Sequence, residues 1–222
     1  MKNLLIRNFK LRKWTIILYA ILLIISPLQL VIDNNNTFTQ TLYASVAMIL
    51  LFVSLLDSGH VFRFYSKLGH KHTYDFFGSL PVSKKALLNA NYLTILIFTI
   101  VGASILSLYN MPNSDIAKNT INISFTLPFS YITLNFLAVP IAFKRYTEQK
   151  SEYISFLTYL LVMLILIPFA IVLILIGISE LYDYHFVNSN YFENSLNYGF
   201  LAVSIIFFVS NYFIQYNKLN KY

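Results

Sequence analysis

The sequence predicts an all-α integral membrane protein with six transmembrane helices and both termini in the cytoplasm. Three observations carry that reading. Six apolar stretches, each 17–24 residues long, contain no charged side chain: residues 14–32, 40–56, 91–109, 123–143, 154–177 and 198–217. About 18 apolar residues are enough for a helix to cross the hydrocarbon core. The charges between them are sorted by side. With the N-terminus inside, Lys118 alone of the 16 Lys and Arg residues falls on the outer face. Translocated loops carry few basic residues, so this orientation is favoured over its inverse. Composition agrees, at 57% hydrophobic and 11% charged with a mean hydropathy of +0.63, outside the range of a soluble globular domain.

The elements follow in order. Five basic residues, Lys2, Arg7, Lys10, Arg12 and Lys13, precede the first span. That basic region is too long for a secretory signal, and Ser26-Pro27-Leu28 is followed by no A-x-A-like site, so an uncleaved first helix is expected. Residues 33–37 make a polar outer hairpin, and residues 57–89 form the large inner loop with Arg63, Lys67, Lys71, Lys84 and Lys85. Ser83 is typed to cap the third span's helix, because its hydroxyl can accept from a free N–H. The second outer loop opens at residues 110–115. Inside again, Glu148 and Glu152 beside Lys144, Arg145 and Lys150 are expected on the exposed face of a helix entering span five. The outer segment 178–197 mixes Tyr182, Tyr184, Phe186, Tyr191 and Phe192 with Glu180, Asp183 and Glu193, which suits an interfacial or re-entrant piece. Lys218 and Lys221 close the chain on the inner side. Pro27, Pro128, Pro140 and Pro168 fall in spans, either as hinges or as the kinks common in membrane helices.

Several functions are excluded or disfavoured. The net charge of +7 is a topology signal facing anionic headgroups and not a nucleic-acid footprint, since fifteen basic and four acidic residues are inside. The absence of cysteine removes disulfides and thiolate metal sites. No ionisable residue lies within a span, which disfavours a proton- or ion-coupled transporter. Gln29, Asn135 and Gln215 are read as polar glue between helices. None of the six glycines precedes a lysine, so there is no Walker A loop. The chain is therefore expected not to be an enzyme by itself and to need no cofactor. Asp57, His60, His70 and His72 lack H-E-x-x-H spacing, and Lys71 opposes a cation, so they are read as a solvated loop and not as a metal or catalytic site.

One inner segment is unusual: Tyr74-Asp75-Phe76-Phe77-Gly78-Ser79-Leu80-Pro81-Val82-Ser83-Lys84-Lys85. Its apolar residues either form a knob for a partner's groove or lie in the headgroup layer. Ser-Leu-Pro-Val-Ser-Lys-Lys followed by Leu87-Leu88-Asn89 resembles the type-2 permeases of ABC transporters. So does the basic start, Met-Lys-Asn-Leu-Leu-Ile-Arg-Asn-Phe-Lys, with the size and topology of the whole chain. Within that family the chain is most similar to the half-size permease subunits of staphylococcal phenol-soluble modulin and related peptide exporters.

The resemblance implies a single permease domain over residues 1–222. It implies an elbow helix over 1–13 along the inner membrane surface and a coupling helix in the loop 57–89. Phe76, Phe77, Leu80, Pro81 and Val82 would seat in a separate ATP-binding subunit, and short helices would lie between spans five and six. Two permeases, identical or homologous, would work with two ATPases in a bacterial cytoplasmic membrane. The expected function is export of an amphipathic peptide or similar amphiphile. The alternative is a membrane immunity or scaffold protein that binds a peptide or partner and transports nothing.

Overall fold

The computed structural model describes residues 1–28, 37–62, 82–109, 123–145, 148–149, 155–182 and 190–220. The basic start forms α1 (Lys2–Leu11), which breaks at Arg12 before α2 (Lys13–Ile25). Helix α2 ends at Ile25, and Ser26, still in helical geometry ahead of Pro27, closes its last turn with its N–H on the Leu22 carbonyl at 2.9 Å. Helix α3 (Thr37–Asp57) carries the second apolar stretch, and α4 (Lys84–Ser107) carries the third. The Ser83 hydroxyl accepts from Ala86 N–H at 3.1 Å, the cap its residue type predicts. Helix α5 (Ile123–Ala142) leads into a small antiparallel pair, β1 (Phe143–Arg145) and β2 (Glu148–Gln149).

The fifth stretch is a broken rod. Helix α6 (Phe156–Leu161) starts on a Ser155 cap, a π turn covers Val162–Leu166, and α7 (Ile167–Tyr182) completes it. The break has a chemical cause. Pro168 has no N–H to give the Leu164 carbonyl, and Ile167 N–H bonds five residues back to Val162. Helix α8 (Asn190–Asn220) ends the described chain.

Among the described residues, Lys84–Ser107, Phe156–Leu181 and Ser195–Leu219 are long and apolar enough to cross a membrane. Shorter apolar helices, Lys13–Ile25, Thr41–Asp57 and Tyr131–Ala142, lie on the other three predicted stretches.

The core lies between α4, α5 and α8. Leu88, Tyr92 and Ile95 of α4 meet Leu134, Phe136 and Val139 of α5 and Phe208 of α8. Phe136 and Phe208 stack with ring centroids 4.5 Å apart, a geometry that adds to simple area burial. Tyr159 of α6 donates to the Leu134 carbonyl at 2.7 Å, which ties the start of the fifth rod to α5. Beyond that anchor, the most apolar part of the rod is not buried within the chain.

Three expectations are corrected. Residues 143–145 and 148–149 form the β1–β2 pair in place of a helix running into span five, so Glu148 sits in a strand; Glu152 lies outside the described residues. Of the segment 178–197, residues 178–182 extend α7 and 190–197 open α8, and 183–189 lie outside the described residues. The start of the inner loop is not solvated: Ser58, His60, Val61 and Phe62 are buried. The elbow is also more than a surface helix, since α1 packs across α4 with Phe9 edge-on to Phe98 at 5.5 Å.

Candidate functional site

Of the five residues expected to meet an ATPase, Val82 is described, half-buried just ahead of the Ser83 cap. Phe76, Phe77, Leu80 and Pro81 lie outside the described residues. The structure instead brings together the opposite end of the same loop, where α3 runs out, and the elbow of the chain.

Arg12 sits in the turn between α1 and α2 and is 2% exposed. A buried guanidinium needs acceptors, or its desolvation is uncompensated. One nitrogen, Nη2, lies 3.0 Å from Asp57 Oδ2, 2.8 Å from the Asp57 carbonyl and 2.7 Å from His60 Nδ1. Thr15, one turn along α2, donates to the same carboxylate oxygen at 2.6 Å. Arginine can only donate, so His60 Nδ1 accepts and the imidazole proton resides on Nε2. That nitrogen faces the Tyr131 hydroxyl at 3.2 Å. Tyr131 in turn meets the Tyr19 hydroxyl at 2.5 Å, and Tyr19 donates to the Phe98 carbonyl at 3.1 Å. The donors run in one direction from Arg12 of the elbow through α5 and α2 to α4.

The backbone that presents His60 is shaped for it. Gly59 has φ +70, a left-handed conformation that costs an L-residue about 1–2 kcal/mol. Its N–H donates to Asn135 Oδ1 at 2.8 Å, and the His60 N–H reaches the same oxygen at 3.4 Å. Asn135 Nδ2 closes on the Tyr131 carbonyl at 2.9 Å. Asn135 thus joins helix α5 to a loop, the gluing role expected of it. Gln215 is buried on α8, and Gln29 lies outside the described residues.

A second polar contact seats α1. Asn8, fully buried, donates to Asn91 Oδ1 at 2.9 Å and Thr94 Oγ1 at 3.1 Å on α4, and accepts from Arg7 at 2.9 Å. On the far side of α4, Asn211 of α8 donates to the Tyr92 hydroxyl at 2.7 Å, and Tyr212 donates to Asn89 Oδ1 at 2.9 Å.

This arrangement is a junction that ties the α1–α2 turn to the end of α3 and, through His60, to α5. Arg12 Nη2 engages one oxygen of the Asp57 carboxylate and one nitrogen of His60. No cluster of His, Cys, Asp and Glu that could hold a metal occurs among the described residues. The reading of His60 as solvated is therefore overturned, while the Asp57 side chain stays 24% exposed and His70 and His72 lie outside the described residues. Sequence reasoning missed Asn8, Arg12, Thr15, Tyr19, Asp57, His60 and Tyr131 as a set. The available signal was a basic residue at the inner start of span one and the sole acidic residue at the inner end of span two.

A family model described as ABC-2 family transporter protein matches residues 3–220. No curated protein matches the chain. No solved structure matches it either.

Proposed function

We propose that this chain, which belongs to the ABC-2 transporter family, is the membrane subunit of an exporter that moves an amphipathic peptide or similar amphiphile out of the cell. The family match along almost the whole chain carries the reading, because that family implies a separate ATP-binding subunit. The sequence supports it: there is no Walker A loop, and the apolar spans hold no ionisable group that could couple transport to an ion. The apolar inner segment with Phe76, Phe77, Leu80, Pro81 and Val82 is the contact for that ATPase. All six apolar stretches span the membrane, both termini face the bacterial cytoplasm, and a second permease, identical or homologous, completes the transporter.

The test is co-purification from native membranes in mild detergent, with mass spectrometry and an ATPase assay on the eluate. Recovery of an ATP-binding subunit, lost when Phe76 and Phe77 are both replaced by Ala at unchanged membrane abundance, supports the reading. Absence of any nucleotide-binding partner under several gentle conditions favours the immunity or scaffold protein. Export is then measured with amphipathic peptides in cells expressing both subunits; no dependence on the ATPase gene overturns it.

A further inference from the structure

We propose that the outer face of the α1–α2 elbow binds an anionic phospholipid, with the headgroup at Lys10 and Lys13 and an acyl chain along α2. The site rests on α2 crossing the membrane, as in the reading above, and on nothing about an ATPase or a substrate.

Charge is the first observation. Residues 1–32 hold five basic side chains and no Asp or Glu. Arg12 is engaged by Asp57 and Arg7 by Asn8, whereas Lys2, Lys10 and Lys13 are exposed. Helix α1 meets α4 through Asn8 and Phe9. At about 100° per residue, Asn3, Ile6 and Lys10 fall on the opposite side of α1, and all three are exposed. A lysine ammonium is a compact cation with three donors and no acceptor. It is complementary to a phosphodiester oxygen.

Shape is the second. Thr15, Tyr19 and Leu22 form the buried side of α2. The side turned away from them carries Trp14, Ile17, Ile21 and Ile24, exposed by 64, 44, 40 and 73%. Spacings of three and four residues place these side chains on one stripe. From Trp14 to Ile24 the stripe runs about 15 Å, half of a hydrocarbon core of about 30 Å and hence the depth of one leaflet. The Lys13 ammonium lies 5.5 Å from the centre of the Trp14 ring, so a cation stands at the end of the apolar track, and tryptophan favours headgroup depth. A cation at one end of a leaflet-deep apolar stripe matches a molecule with an anion at one end of an acyl chain. Helix α7 supplies the contrast. It exposes Phe169, Val172, Leu173 and Ile176 but contains no Lys or Arg.

Trp14 is the only tryptophan in the chain, so its fluorescence reports on lipid at this place. The full chain is reconstituted in phosphatidylcholine nanodiscs that contain, at equal mole fraction, either phosphatidylglycerol or phosphatidylcholine brominated on its acyl chains. Bromine quenches the indole on contact. We expect an association constant about fivefold higher for the phosphatidylglycerol, the preference that one lysine contributes at an anionic surface. Lys10→Gln with Lys13→Gln should bring the ratio close to unity. Salt at about 1 M, where the screening length falls to about 3 Å, should shrink it in the otherwise unaltered chain, a check that needs no variant.

Trp14→Phe with Phe169→Trp moves the reporter to α7 at unchanged net charge, and the ratio there should stay near unity. Equal quenching at Trp14 by the two lipids overturns the site, as does a preference that survives loss of both lysines. The same preference at Phe169→Trp also overturns it, because attraction would then be a diffuse effect of the net charge of +7. A chain that enters no nanodisc sinks the membrane reading and the site with it, whereas equal quenching in loaded discs removes the site alone.

Discussion

The hydroxyls of Tyr19 and Tyr131 meet at 2.5 Å against the bare Cα of Gly102. A Cβ at that position would strike the Tyr19 hydroxyl and stand 2.7 Å from Tyr131 Cε1. Glycine here lets two large rings from α2 and α5 close over α4.

Gly102→Ala should therefore lower the thermal midpoint of the purified protein in detergent, at a cost of about 1–3 kcal/mol for overpacking a filled site. Gly199→Ala is the control. Its Cβ would meet nothing within 4 Å, and removing a helical glycine gains about 0.5–1 kcal/mol. Equal midpoints for the two variants would mean the tyrosines move aside freely.

Gly59 faces two penalties at once. Its φ is left-handed, and a Cβ would overlap the Phe156 ring of α6. Gly59→Ala should be more damaging than Gly102→Ala. The two penalties separate in a double mutant: Phe156→Ala should cost less in the Gly59→Ala background than alone, by about 0.5–3 kcal/mol of coupling. Strict additivity would show that backbone conformation alone sets the cost.

Asn135→Leu keeps the bulk of the side chain and removes its amide. The Gly59 N–H, and with it the turn that presents His60, then loses its acceptor. The expected loss is about 1–3 kcal/mol for a buried unsatisfied donor, read as a lower midpoint. Maleimide labelling of a cysteine placed at the buried Ser58 should also rise in this background. Unchanged labelling would show that the turn holds its shape without Asn135.

Ser83→Ala removes the cap of α4 at an exposed position. The cost should be about 1 kcal/mol, visible as faster hydrogen exchange confined to the first turn from Lys84. A change spread along the helix would instead tie the cap to the core packing around Leu88.

The apolar stretches were legible because a bilayer imposes length and lack of charge on anything that crosses it. Ser83 was legible because capping is local chemistry. The junction was not. His60 has the setting of a solvated loop, and only the convergence of the α1–α2 turn, α4 and α5 on it buries it. Arg12 was counted with its neighbours as an inside charge, a tally that treats all basic residues alike. Yet Arg12 turns inward while Lys13, next in sequence, places its ammonium 5.5 Å from the exposed Trp14 ring. Glu148 was placed on a helix because a strand pair this short has no period to read.

The π turn at Val162–Leu166 inserts about one residue relative to a regular helix. At 3.6 residues per turn, one residue is about 100° of rotation. The stripe that begins on α6, where Tyr159 and Leu160 face the protein, therefore does not continue in phase onto α7. A cysteine or tryptophan scan along this rod has two angular frames, one ending at Leu161 and one starting at Ile167. A periodic response fitted across the join with a single frame would smear into apparent randomness.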